Sequence, residues 1–298
     1  MVVLVAGMKV KTTNPTNHFG CESTVATIKR FPCSCETAIS VYFTSTVLKE
    51  LMPHVLPTGC KAIDNLLGGG IHYGMVTDIY GESGTGKSQL CFTICARTAE
   101  YFETRQQVSV VFIDTGGTFR PERITEIAGM AKMKTDILDK ILVVRSLSST
   151  DQINSINRLS KINPRLLIID GVASLFTTDY RGAARHLALM KHLHELSVAA
   201  INLRCAVVMT NMVRTAITAG NQVKTSIIMV ENPNRSKTQQ SDQQRELMGT
   251  SVSIYAHMKL MLKATNLEKS IFKAVLLQPS SKQEAYYTLT TKGVTDLP

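Results

Sequence analysis

Gly81-Glu82-Ser83-Gly84-Thr85-Gly86-Lys87-Ser88 fits the pattern G-x-x-x-x-G-K-[ST]. Glycines at these spacings let a loop turn its backbone N–H groups inward around a phosphate. A helix starting near Gly86 adds the positive end of its dipole to the same pocket. The Lys87 ammonium suits β- and γ-phosphates, and the Ser88 hydroxyl suits a place on Mg²⁺. A metal held this way needs a second carboxylate, at the end of another apolar strand. Leu166-Leu167-Ile168-Ile169-Asp170 supplies it, which makes Asp170 the second metal-side candidate. The bland alternatives are a loop that keeps its shape without its ligand and a surface aspartate ending a strand. The apolar run ahead of Asp170 weakens the latter.

These groups must be held at one end of a sheet. Residues 76–80 read as a short strand running into the glycine-rich turn. Residues 87–102 read as a helix with Leu90, Cys91, Ile94 and Cys95 on adjoining turns. Continuous apolar runs at 108–113, 141–144, 165–169 and 205–210 read as buried strands. Helices fall between them: one opened by Pro121, one capped by Thr150 or Asp151 and running to about residue 161, and one over 183–203. Strands that are apolar throughout and separated by helices imply a parallel sheet covered on both faces. Alternating runs at 254–262, 271–277 and 285–289 read as antiparallel edge strands. The expected fold is α/β, a mostly parallel sheet with helices on both faces and antiparallel strands at the C-terminal end.

The chain has 298 residues, 44% hydrophobic and 19% charged, which argues against wholesale disorder and against a coiled coil. It holds no apolar run of the roughly 18 residues a membrane span needs. Thirty-three Lys and Arg against 23 Asp and Glu give a net charge of +10, which suggests contact with a polyanion. Seven cysteines without an export signal read as reduced intracellular thiols. Residues 1–52 show no sustained period and are expected to be an arm, a degenerate small domain or sequence upstream of the true start; residues 53–298 form the expected core. His18, Cys21, Cys33 and Cys35 lack the usual zinc-finger spacing. Core packing is the better reading of Cys91 and Cys95, and a wet helix face that of His186, His192 and His194.

The flanks of the loop carry a family resemblance. Leu56-Pro57-Thr58-Gly59, Ile63-Asp64, Leu66-Leu67-Gly68-Gly69-Gly70-Ile71 and Gly74 lead into it, and Gln89-Leu90-Cys91 follow. Asp114-Thr115, Gly117-Thr118-Phe119-Arg120-Pro121-Glu122-Arg123, Asp179-Tyr180, Met209-Thr210-Asn211 and Gly293-Val294-Thr295-Asp296 come after. This resembles the RecA/RadA family of strand-exchange recombinases and their paralogues, over about residues 53–298. The resemblance implies a RecA-like ATPase core binding ATP and Mg²⁺, with nucleotide contacts from residues 81–88, Gln89 and Arg123, the last stacked on adenine. It implies metal contacts from Ser88 and Asp170, and Thr210-Asn211 beside the γ-phosphate. It also implies single-stranded DNA at two loops, one after Tyr180-Arg181 and one over 214–249. The second carries Arg214, Lys224, Arg235, Lys237 and Arg245 but no aromatic residue to stack on bases. A RadA-type recombinase or paralogue partner, self-association, no membrane, and a place in the cytoplasm, nucleoid or nucleus follow from the same resemblance.

Departures narrow it. The family places a glutamate after Asp-Thr to activate the attacking water; Gly116 stands there, and a general-base contribution on the order of 10²–10⁴ in rate is missing. Glu122 is expected to face elsewhere. Met212 replaces a glutamine that couples nucleotide state to the second loop, the first loop is short, and the helix-hairpin-helix module expected before the core is not recognisable. Phe43-Thr44-Ser45-Thr46 stands near a Phe-x-x-Ala assembly segment but offers Thr in place of Ala. These changes point to a weak DNA-dependent ATPase, a paralogue of the RadB or recombination-mediator kind. An active strand-exchange enzyme and a nucleotide-binding scaffold without a DNA role are the alternatives.

Overall fold

The computed structural model describes residues 55–102, 108–133, 137–215, 244–266, 270–279 and 283–298. A two-stranded ribbon, β1 (Val55–Leu56) with β2 (Ile71–His72), brackets the short helix α1 (Lys61–Leu66). Strand β3 (Val76–Gly81) is buried along its whole length and leads through the glycine-rich turn into α2 (Lys87–Tyr101). Then come β4 (Val110–Asp114), α3 (Pro121–Met130), β5 (Ile141–Arg145), α4 (Ser149–Asn157) and α5 (Leu159–Ile162). Next are β6 (Leu166–Asp170), α6 (Ser174–Asp179), α7 (Gly182–Leu203) and β7 (Ala206–Thr215). After residue 243 the chain adds β8 (Gln244–Glu246), α8 (Gly249–Tyr255), β9 (Met258–Asn266), β10 (Ile271–Gln278), β11 (Gln283–Thr290) and β12 (Gly293–Thr295).

Strands β3 to β12 form a second, larger sheet in the order β12-β11-β10-β9-β3-β7-β6-β4-β5, with β8 paired to β7. From β9 through β5 all neighbours run parallel; β9, β10, β11 and β12 are joined antiparallel. The two-residue period of a strand divides the apolar runs between two cores. Val110, Phe112, Leu166, Ile168, Ala206 and Val208 face α2 and α3, where Phe112 packs with Phe92 and Phe119. Val111, Ile113, Leu167, Ile169, Val207 and Met209 face α6, α7 and α8. Burying each Val, Leu, Ile, Phe or Met among them stabilises the fold by about 1.5–3 kcal/mol relative to its exposure. Cys91 and Cys95 are fully buried in the first core, as expected.

Three readings of the sequence need correction. The run 254–262 is not one edge strand: Gly249–Tyr255 is helix, and β9 lies inside the sheet, parallel to β3 on one side. The helix after β5 is capped by Ser148, whose hydroxyl accepts from the Asp151 N–H while the Asp151 carboxylate accepts from the Ser148 N–H; the helix breaks at Arg158. His192 is not on a wet face. It is 1% exposed, lies against the Phe176 ring and meets Gln152 Nε2 at 3.1 Å. His186 is half-buried and bonded to Ser251, and His194 is exposed beside Tyr255.

Candidate nucleotide-binding site

Ligand sites in parallel sheets form beyond the carboxyl ends of the strands. Here β3, β4 and β6 end together beside the middle of β7: Asp114 is opposite Asp170, and Tyr80 opposite Asn211. A cavity of about 470 Å³ opens there, lined by the turn after β3, by residues from the ends of β4 and β6, and by Thr210 to Val213 of β7. Gly84 and Gly86 take φ of +81° and +89°, a region that glycine enters without strain, and Gly86 is the cap residue of α2. A Cβ on Gly81 would lie 2.3 Å from the Leu262 carbonyl oxygen, so the turn can pass β9 only as glycine. Lys87 Nζ donates to the carbonyls of Gly81 at 2.9 Å and Glu82 at 2.6 Å. Burial draws its pKa below the usual lysine value, against the pull of Asp170.

Asp170 gathers three hydroxyls. Ser88 Oγ donates to it at 2.7 Å, Thr118 Oγ1 at 3.0 Å and Thr210 Oγ1 at 2.6 Å. The Ser88–Asp170 pair expected of a Mg²⁺ site is therefore assembled, from residues that lie on α2 and at the end of β6. A hydroxyl and a carboxylate are hard oxygen donors suited to that cation. The residues fit a triphosphate with its metal: a backbone cradle, a helix N-terminus, one ammonium and an oxygen pair. Among the described residues no group of three or more His, Cys, Asp or Glu side chains converges on a metal of its own. His18, Cys21, Cys33 and Cys35 lie outside them.

Gly116 lines the cavity, and Glu122 is exposed and outside its lining. Gln89 also lines it and accepts from Arg123 Nε at 2.8 Å. The rest of the Arg123 guanidinium is engaged with Glu126 and with the carbonyls of Thr290 and Thr291, so Arg123 ties α3 to the end of β11 beside the cavity. Tyr180 is half-buried with its ring stacked on Phe176; Arg181 is exposed at the start of α7. Arg214 and Arg245 are backbone register partners in the β7–β8 pairing. Lys224, Arg235, Lys237 and Phe43-Thr44-Ser45-Thr46 lie outside the described residues.

The sequence reading missed four contributors. Asp114 accepts from the N–H groups of Gly116, Gly117, Thr118 and Phe119 and from Arg145, so it shapes the 116–119 loop at the cavity. An aspartate just ahead of a glycine pair is a turn signal that could have revealed it. Thr118 reaches Asp170 from that same loop. Tyr287, from the far strand β11, donates to the Thr85 carbonyl at 2.7 Å and fixes the phosphate loop from below. Glu246 accepts from Asn211 Nδ2 at 2.9 Å and pairs with Lys259, which also lies 3.2 Å from the fully buried Asp78. Burial, with Glu246 close by, holds the Asp78 carboxyl well above the usual carboxylate range. No local spacing announces that cluster.

A family model described as Rad51 matches residues 49–297. "DNA repair and recombination protein RadA" of Cenarchaeum symbiosum (strain A) is 37% identical over 169 residues, covering 53% of this chain and 42% of its own. "Meiotic recombination protein DLH1" of Candida albicans is 36% identical over 187 residues, 58% of this chain and 57% of its own. "DNA repair protein RAD51 homolog B" of Zea mays is 28% identical over 257 residues, 81% and 69%. The chain spans about half the length of the first relatives it matches. No helix among the described residues is long and apolar enough to cross a membrane. The match over 49–297, the strand order and the assembled phosphate loop agree: the chain belongs to the Rad51 family, in the RecA/RadA group of recombinases.

Proposed function

We propose that this chain binds ATP with Mg²⁺, contacts single-stranded DNA, and serves homologous recombination and DNA repair as a paralogue or mediator with weak ATPase activity. The observation that carries this is the contrast inside one cavity. Lys87, Ser88 and Asp170 line it together, which supports nucleotide binding, while the position from which a carboxylate would activate water is Gly116. When bound, Mg²⁺ screens the phosphate charge. The chain's own part is to cradle the phosphates with the 81–88 backbone, to neutralise them with Lys87 and to orient the metal side through Ser88 and Asp170. Without a general base, nucleotide occupancy acts as a switch more than as fuel. The basic residues of 214–245 and the exposed Arg181 support DNA contact of the salt-dependent, sequence-tolerant kind. The edge strand β5, with Leu142 and Val143 exposed and Leu147 73% exposed just beyond it, supports docking of a recombinase, a paralogue or a second copy. The printed names of the relatives, DNA repair and recombination proteins, agree with this role.

The test is ATP hydrolysis with and without single-stranded DNA, beside a DNA-binding titration at low and moderate salt. DNA binding that weakens with salt, with turnover near background, is expected. DNA-stimulated turnover rising many-fold would replace this reading by an active recombinase. No DNA binding even at low salt would leave a nucleotide-binding scaffold.

A further inference from the structure

The amide of Asn211 lines the cavity but is committed away from it. The Met212 N–H donates to Asn211 Oδ1 at 2.9 Å, which settles which way round the amide stands. Nδ2 then donates to Glu246 Oε1 at 2.9 Å and to the Leu247 carbonyl at 2.7 Å. An amide nitrogen has two hydrogens, and both are spent on the chain returning through β8. Neither is free for a ligand in the cavity.

Glu246 is built to hold its share of that bond. Its side chain is 8% exposed, and its other oxygen meets Lys259 Nζ at 2.5 Å. Lys259 is anchored in turn by Ser253 Oγ at 2.8 Å, by Asp78 and by the face of the Tyr80 ring at 4.9 Å. A charged acceptor makes a stronger hydrogen bond than a neutral one. Removing it still leaves Lys259 within 3.2 Å of the Asp78 carboxyl, so the ammonium is not left without an acidic partner.

We propose that Glu246 is a positioning residue that sets the cavity's preference between nucleoside triphosphate and diphosphate, by competing with the terminal phosphate for the Asn211 amide. This rests on the reading that the cavity binds ATP. A γ-phosphate oxygen reaches an Asn211 hydrogen only by displacing Glu246 or the Leu247 carbonyl, and Glu246 is the partner that can yield, because its carboxylate keeps Lys259 when the amide leaves while the backbone carbonyl would be left unpaired. A diphosphate presents no oxygen there and leaves the Asn211–Glu246 bond intact. The bond therefore taxes triphosphate binding alone. Breaking it on triphosphate binding also releases one tie between β7 and the strand on which the chain re-enters the sheet.

The test compares wild type, Glu246→Ala and Glu246→Gln by calorimetric titration with Mg²⁺ and either a non-hydrolysable ATP analogue or ADP, alongside thermal melts. Glu246→Ala is expected to tighten the triphosphate about tenfold, the scale of one charge-assisted hydrogen bond, and to leave ADP within about twofold. Glu246→Gln keeps a neutral acceptor and is expected to fall between, at about threefold; it carries the comparison if the alanine variant does not fold. An unchanged ratio of the two affinities, or an equal loss for both nucleotides, overturns the proposal and makes Glu246 a wall residue. If wild type binds both nucleotides and the ratio stays fixed, only this inference fails. If wild type binds neither, the ATP reading itself fails and takes the inference with it.

Discussion

Gly116 lines the cavity and Gly117 follows it in the chain, yet only one of the two needs to be glycine. A Cβ on Gly116 would touch nothing closer than Thr118 Cγ2 at 3.4 Å, and the backbone there is open to any residue. Gly117 has φ of +72°, and a Cβ on it would lie 2.7 Å from the Arg145 guanidinium that bridges to Asp114. Gly117→Ala is accordingly expected to cost about 1–3 kcal/mol, read as a lower denaturant midpoint, while Gly116→Ala is nearly neutral. The same contrast makes a gain of function testable. Gly116→Glu can be accommodated and places a carboxylate at the cavity wall. ATP turnover should rise on the order of 10²-fold, at the low end of a general-base contribution. Unchanged turnover with intact ATP binding would mean that another group already positions the water.

The phosphate loop is not supported by its own helix and strand alone. The C-terminal strands brace it from the far side: Tyr287 bonds the Thr85 carbonyl, and Leu289 fills the space that a Cβ on Gly86 would need, at 2.8 Å. Tyr287 is fully buried, so Tyr287→Phe leaves the shape and removes one hydrogen bond. A loss of about 1 kcal/mol of stability is expected, with nucleotide affinity falling a few-fold because the cradle loosens. Unchanged affinity in a normally folded variant would show that the loop holds its shape without this brace. This support was not legible in the sequence, where Tyr287 is one aromatic in an alternating run. That the loop, Lys87, Ser88 and Asp170 come together was legible, because close spacing and an apolar run that ends in a carboxylate encode their placement locally. The parallel strands were legible for the same reason, being apolar on both faces. Alternation in 254–262 suggested an edge, yet β9 pairs with β3, and its inward Lys259 answers a carboxylate on β3 rather than solvent. Pairings between distant strands leave no such local period, and Asp78, Glu246 and Lys259 are each unremarkable until the fold brings them together.

At the scale of the whole molecule, resistance to acid turns on what the interior refuses to protonate. His192 sits between Gln152 of α4, the Phe176 ring of α6 and its own helix α7, and its Nδ1 has no hydrogen-bond partner. Burial draws its pKa from 6.5 down to about 4. In the unfolded chain the imidazole takes a proton near its ordinary pKa; in the folded chain it resists until about 4. The unfolded state thus binds more protons across that window, and stability falls as pH is lowered through it. The contribution is fully present above 6.5 and is lost by about 4, a change on the order of 3 kcal/mol. Asp78 works in the opposite sense, since a carboxyl held above its usual range loses stability as pH rises past 3.8. A single stability curve mixes the two, so the informative measurement is a difference. His192→Leu keeps an apolar filler against Phe176 and leaves Gln152 bonded to the Val172 carbonyl. Its chemical-denaturation stability, relative to wild type, should improve by about 2–3 kcal/mol between pH 7 and pH 4. A constant offset across that range would mean that the folded state already admits the proton on His192, and that acid sensitivity arises elsewhere in the molecule.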